Sequence, residues 1–115
     1  MAFSEFEAKR YEILARRFVE RHRPPARIRY QVDLSCRVNG QSVEIFETRP
    51  APDTRETRLE QAVAKATYVK KSGTWKMYWQ RADLRWHRYE PSPEVESLEE
   101  ALRIVGDDAH ACFFG

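Results

Sequence analysis

Hydrophobic positions in the chain recur first at helical spacing and then in strict alternation. Phe3, Phe6, Tyr11, Leu14 and Phe18, with Ile13 to one side, share one helix face, while Lys9, Arg10, Arg16 and Arg17 share the other. Ser4 and Glu7 supply a capping box at the start. Cations at Arg21, His22 and Arg23 suit the carbonyl end, and Pro24-Pro25 stops the helix. The apolar side of this helix is predicted to cover a sheet.

From Ile28 to Val38 the period becomes two, with Ile28, Tyr30, Val32, Leu34, Cys36 and Val38 on one side. Asn39-Gly40 is a hairpin dipeptide, so Cys36 should face Val43, Leu34 should face Ile45 and Val32 should face Glu47. Two prolines and mixed charge between Thr48 and Glu60 predict a mobile loop, placed at 49–60. All three tryptophans lie between Ala62 and Glu90. Ser72-Gly73 predicts a second tight turn, putting Lys71 opposite Thr74, Tyr68 opposite Met77, Ala66 opposite Trp79 and Ala64 opposite Arg81. A further turn at Asp83 brings back Arg85 to Glu90, with Trp86 opposite Trp79.

This register makes Trp75, Met77, Trp79 and Trp86 one core layer above the small Ala64 and Ala66. It leaves Val63, Lys65, Thr67, Lys76, Tyr78, Arg85, His87 and Tyr89 on the far side. A turn one residue longer or shorter would turn the last strand over. After Pro91-Ser92-Pro93, Ser97 and Glu100 form a second capping box for a short helix carrying Leu98, Ala101, Leu102, Ile104 and Val105. Gly106 should end it, leaving Phe113-Phe114 to dock on the core or on a second subunit. The expectation is a single α+β domain over 1–115: N-terminal helix, five-stranded mostly antiparallel sheet built from a hairpin and a three-strand meander, and short C-terminal helix. Both helices should pack on the tryptophan side.

Charge changes this picture more than composition does. The 115 residues carry 20 Lys and Arg against 18 Asp and Glu, a net +2, but unevenly. From Lys65 to Arg88 the only acid is Asp83, whereas Glu90 onward is acidic. Cys36 and Cys112 have neither CxxC nor zinc-site spacing, so no disulfide framework, metal finger or cofactor is indicated. The start of the chain does not read as a signal peptide, and no stretch is apolar enough to span a bilayer. No haem or nucleotide-binding motif is present. A cytoplasmic protein with free thiols and no membrane partner is expected.

Three classes of chemistry fit these residues. Lysines and arginines interleaved with aromatics on the far side of the sheet suit single-stranded RNA or DNA: cations neutralise phosphates and rings stack bases. The nucleic-acid-binding candidates are Lys65, Lys76, Tyr78, Arg85, His87 and Tyr89, although no RNP or KH pattern accompanies them. A homodimeric protein-interaction module would use strand edges, the proline-containing loop and Phe113-Phe114. A metal-dependent nuclease or phosphodiesterase would need Asp33 and Glu44 as diagonal neighbours with Lys65 alongside, and a metal-free variant would use His87 as base beside Tyr78 and Lys76. No motif specifies a reaction, so no catalytic residue is assigned. Glu47, facing the apolar layer, is expected to pair with Arg81 or Tyr30.

The segments FSEFEAKRYE, NGQSVEIFETRP, VAKATYVKKSGTWKMYWQRADLRWHRYEP and CFFG together resemble a family of short bacterial proteins classified only as a domain of unknown function, DUF3024. The resemblance covers nearly the whole chain and departs most visibly at His110-Ala111. It implies a single-domain bacterial protein and carries no activity, cofactor or catalytic residue.

Overall fold

The computed structural model describes residues 3–53 and 57–114. Helix α1 (Glu5–His22) leads into a six-stranded sheet of β1 (Asp33–Asn39), β2 (Ser42–Pro50), β3 (Arg58–Val69), β4 (Thr74–Gln80), β5 (Trp86–Arg88) and β6 (Glu94–Val95), then helix α2 (Leu98–Asp107). Strand order follows chain order from β1 to β5, with β6 also on β4, and every pairing is antiparallel. The fold is α+β, as the periodicity predicts. No described helix is long and apolar enough to cross a membrane.

Both halves of the first capping box form: the Glu7 amide donates to Ser4 Oγ at 3.1 Å and the Ser4 amide to Glu7 Oε1 at 3.1 Å. The helix buries Ala15, Phe18 and Val19, flanked by Tyr11 and Leu14. Phe6 is corrected: it is 81% exposed, because at 100° per residue it lies off the Tyr11–Ala15–Phe18 line. Past Pro24-Pro25 the chain makes a single 3₁₀ turn at Ala26–Ile28, so β1 starts at Asp33 and the alternation from Ile28 is not strand. The Val32 amide there donates to the Ile28 carbonyl at 3.1 Å, which closes a turn rather than a ladder.

The first two hairpins each slip by two residues from their predicted register, so faces are kept while partners change. In the first, Gly40-Gln41 forms the turn and Asn39 pairs with Ser42, which sets Cys36 against Ile45 and Leu34 against Glu47. Gly40 at φ +64° takes the first turn position, as a type II′ loop requires. In the second, Val69 pairs with Thr74 around a four-residue loop, which sets Tyr68 against Trp75, Ala66 against Met77 and Ala64 against Trp79. Gly73 at φ +69° closes that loop, its amide donating to the Val69 carbonyl at 2.8 Å.

The expected loop at 49–60 is strand at both ends, 49–50 and 58–60, which leaves a shorter connection than predicted. Thr48 pairs with Glu60, Arg49 with Leu59 and Pro50 with Arg58, and the Ala51 amide donates to the Thr57 carbonyl at 2.8 Å. Residues 54–56 of that prediction lie outside the described residues. Pro50 is tolerated because it ends the strand. Between β2 and β3 a bulge sets Ile45 against Ala64 but Phe46 against Ala62. The extra residue, Val63, is thereby turned into the core rather than to the far side, and is 4% exposed.

The largest correction falls on β5. Gln80 pairs with Trp86, Trp79 with His87 and Tyr78 with Arg88, a register odd with respect to the prediction, so the whole strand is turned over. Ala82, Asp83 and Leu84 form the loop, with Leu84 in the left-handed region at φ +61°. This is the three-residue hairpin loop whose last residue is ordinarily glycine. Leu84 is exposed and its conformation is costly for a branched side chain, so Leu84→Gly is expected to stabilise the protein by about 1 kcal/mol, read as a raised urea midpoint. A lowered midpoint would contradict the loop assignment.

After β5, the Ser92 amide donates to the Tyr89 carbonyl at 3.2 Å, turning the chain through Pro91-Ser92-Pro93 into the unanticipated β6. Only half of the second capping box forms: the Glu100 amide donates to Ser97 Oγ at 3.1 Å, while the Glu100 carboxylate turns to Arg103. Gly106 does not end α2. It stays helical where a side chain would meet the His22 ring at 3.0 Å, and Asp108 at φ +43° caps the helix instead. The Asp108 carboxylate accepts from the amides of Phe113 at 3.0 Å and Phe114 at 2.9 Å. Phe113 is thereby seated against Tyr89, ring centroids 4.7 Å apart.

The core lies between the sheet and the two helices. Trp75 is 2% exposed and meets Tyr11 edge-on at 4.9 Å, with Phe3 and Tyr68 beside it. Among the described residues no polar or charged residue is buried. The opposite face of the sheet belongs to no helix-packed layer.

Candidate nucleic-acid interface

On that opposite face, β3, β4 and β5 bring Lys65, Lys76, Tyr78, Gln80, Trp86 and Arg88 to the same side, because paired residues in a sheet point the same way. Lys65 pairs with Tyr78, Thr67 with Lys76, Tyr78 with Arg88 and Gln80 with Trp86. The Lys65 amine lies 5.0 Å from the Tyr78 ring centroid and 4.9 Å from that of Trp86. Its cross-strand neighbour on β2 is Glu44, yet the amine turns to the rings while Glu44 accepts from Asn39 at 3.4 Å. A cation over two ring faces is held by the negative face of each π-system. Among the described residues, neither Lys65, Lys76 nor Arg88 forms an ion pair with a carboxylate.

The far half of this face is different. Arg37 lies 4.2 Å over the Phe46 ring and is salt-bridged to Glu60, so its charge is neutralised within the fold. Phe46 itself is 8% exposed. The open cationic-aromatic patch is therefore confined to the β3–β5 half.

Of the six residues predicted for the interface, Lys65, Lys76 and Tyr78 lie together as expected. Arg85 is exposed but sits in the β4–β5 connection rather than on the strand. His87 pairs with Trp79 and so points to the helix side, where its Nε2 meets Asp83 Oδ2 at 2.8 Å. Tyr89 is 2% exposed, and burial pushes its phenol above the usual range. The turned strand offers Trp86 and Arg88 in their place.

A sequence signal for this existed. Arg81-Ala82-Asp83-Leu84 lacks the glycine or Asn-Gly of a two-residue turn, and an aspartate readily accepts from the amide two residues on. Asp83 does so with Arg85 at 2.9 Å. That amide, then the His87 ring, hold its carboxyl below the usual range.

The carboxylates proposed for metal chemistry do not converge. Asp33 pairs with Thr48 and Glu44 with Arg37, which puts them four residues apart along the ladder, roughly 13 Å at strand rise. Asp33 is already engaged: Arg23 Nε donates to Oδ1 at 3.0 Å and Nη2 to Oδ2 at 2.8 Å. No group of three His, Cys, Asp or Glu among the described residues could hold a metal ion. His87, facing the helices, does not join Tyr78 and Lys76. Glu47 pairs with Arg49 at 3.2 Å, not with Arg81 or Tyr30.

The Arg23 hydrogen bond, followed by the Leu34 amide, outweighs desolvation and holds the Asp33 carboxyl below the usual range. A carboxylate with a depressed folded pKa contributes stability above its unfolded value, and that contribution fades as pH falls through the folded one. Asp33→Asn is therefore expected to destabilise the protein by about 1 kcal/mol at neutral pH and by less on acidification below about pH 4, measured by urea unfolding at each pH. A pH-independent difference would contradict the ion-pair account.

A family model described as "Domain of unknown function (DUF3024)" matches residues 3–115. No curated protein and no solved structure matches the chain.

Proposed function

Because the chain belongs to the DUF3024 family, whose description assigns no activity, its role has to be read from its own surface, and we propose that it binds single-stranded RNA or DNA through the β3–β5 sheet face. One observation carries this reading: the Lys65 amine shared between the Tyr78 and Trp86 rings, on a face with no helix over it. A base stacked on either ring brings its phosphate beside Lys65, with Lys76 on the Tyr78 strand and Arg88 on the Trp86 strand. Stacking contributes about 1–3 kcal/mol per base and tolerates any sequence, since every base has a π-face. Single strands are favoured because a duplex keeps its bases stacked on each other and offers the rings nothing to hold. Both cysteines are free thiols, which suits a reducing cytoplasm, where such strands are met.

Three phosphate contacts, from Lys65, Lys76 and Arg88, should release counterions on binding. For a single strand that gives a slope of roughly −2 in log affinity against log salt. Titration of the tryptophan fluorescence with oligothymidylate across a salt series reads the slope directly, and Lys65→Ala should make it shallower by about 0.7. Binding that is indifferent to salt, or an unchanged slope in Lys65→Ala, would overturn the proposal.

A further inference from the structure

Strand β1 ends the sheet, and among the described residues no strand lies beyond it. In a two-residue hairpin the flanking pair, here Asn39 and Ser42, exchanges both backbone hydrogen bonds. Arg37, Ser35 and Asp33 therefore bond to β2 in turn, and the backbone groups of Val38, Cys36 and Leu34 face outward. The Leu34 amide is taken by Asp33 Oδ1 at 2.8 Å, while no described residue engages the outward amides of Cys36 and Val38. We propose that this edge is the interface between two copies of the chain, paired antiparallel about a two-fold axis at Cys36 so that one sheet runs through both.

Two features carry this, and the first is that the edge is unguarded. The other edge of the sheet is broken into β5 and β6, three and two residues long, with Pro91 and Pro93 between them. Short strands and prolines of that kind keep an edge from pairing with another chain. β1 runs for seven residues, DLSCRVN, without proline, glycine or lysine, and both of its charges are neutralised, Asp33 by Arg23 and Arg37 by Glu60.

The second feature is self-complementarity. With Cys36 opposite its own copy, the two cysteines exchange amide-to-carbonyl bonds and each Val38 amide donates to the partner's Leu34 carbonyl. That register uses all four free donors and stops where Asp33 occupies the Leu34 amide. Helix α1 runs alongside β1 in the opposite sense, since the Phe3 amide donates to the Gly40 carbonyl at one end and Arg23 to Asp33 at the other. Its edge-side flank carries Lys9, Glu12, Arg16, Glu20 and Arg23, alternating in sign. Arg16 and Cys36 line one cavity of about 480 Å³, and Arg16 and Glu12 are the charges that act on the Cys36 thiol, so the axis passes level with them. Antiparallel copies of α1 centred there set Glu12 against the partner's Arg16 and Lys9 against the partner's Glu20. The outward face of the same helix carries Arg10, Arg17 and Arg21, none of them ion-paired among the described residues, and would repel its copy. Because the axis stands normal to the sheet, both helix-free faces stay open on one side, and the pairing does not depend on strand binding.

Sedimentation equilibrium of the full chain should show the mass of two chains at high concentration, falling toward one on dilution; a single-chain mass at every concentration would overturn the proposal. In a Cys112→Ser background a short bismaleimide should join two chains through Cys36, whose α-carbons lie about 5.5 Å apart in this pairing. Val38→Pro deletes an outward donor from each chain and leaves the β2 ladder intact, so it should raise the dimer dissociation constant about tenfold or more. Arg16→Glu should weaken the dimer severalfold, and Glu12→Arg added to it should restore the affinity by exchanging the two signs across the axis. A dimer that neither cross-links through Cys36 nor responds to Val38→Pro or to the charge reversal would use another surface, and the edge assignment would fall.

Discussion

Tyr89→Ala is expected to destabilise the protein by about 3–5 kcal/mol, whereas Trp86→Ala, three residues earlier on the same hairpin arm, should cost about 1 kcal/mol or less. Tyr89 is among the largest fully buried side chains, at 2% exposure, with its ring against Phe113 and its amide donating to the Met77 carbonyl at 2.9 Å. Truncation would leave a cavity between the sheet and the C-terminal segment, and the neighbours that line it are pinned by the β4 ladder and by the Asp108 carboxylate. Trp86 is half-buried, with its ring on the helix-free face under Lys65, so its loss removes a cation–π contact and some area but opens no void. Urea midpoints at unchanged m-value give both numbers. The reverse ranking, with Trp86 the costlier, would mean that the last strand has the opposite face inward.

The second large effect is on binding. Removing both rings, Tyr78→Ala with Trp86→Ala, should weaken affinity for a short oligothymidylate by at least about fivefold for each ring lost, because each base then stacks on nothing. The salt slope should stay near its wild-type value, since Lys65, Lys76 and Arg88 remain. Lys65→Ala should show the opposite pattern, a shallower slope with part of the stacking kept. If the double variant bound as tightly as wild type, cations alone would account for the affinity and the rings would have no part in it.

How far the chain could be read without coordinates depended on parity. The slips at Asn39-Gly40 and Ser72-Gly73 moved each partner by an even number of residues, which leaves every side chain on its predicted face. Lys65, Lys76 and Tyr78 were therefore placed correctly even though their partners were not. At Asp83 the slip was odd, and one extra loop residue exchanged Trp86 and Arg88 for His87 and Tyr89. Nothing in the alternation of Arg85 to Glu90 could decide this, since both parities put an aromatic on each side: Trp86 on one, Tyr89 on the other.

Two other misses share a cause. Phe6 reads as core by hydrophobicity, and 49–60 reads as one loop by its prolines although its two ends are strand. In the first case the helix phase, in the second the pairing of Arg58 to Glu60 with β2, outweighed the local preference. The tail was read more successfully. Phe113 does dock on the core, although Asp108, which clamps it, was not singled out as its partner.

The patch formed by Lys65, Tyr78 and Trp86 is the centre of the functional account, and the most direct test is to map where a strand touches. Backbone and indole amide shifts, followed by nuclear magnetic resonance as oligothymidylate is added, should move for Lys65, Lys76, Tyr78, Trp86 and Arg88, and for the Trp86 indole more than for that of the buried Trp75. Shifts confined to the arginine-bearing outer side of α1, or no shifts at all at saturating strand, would contradict it.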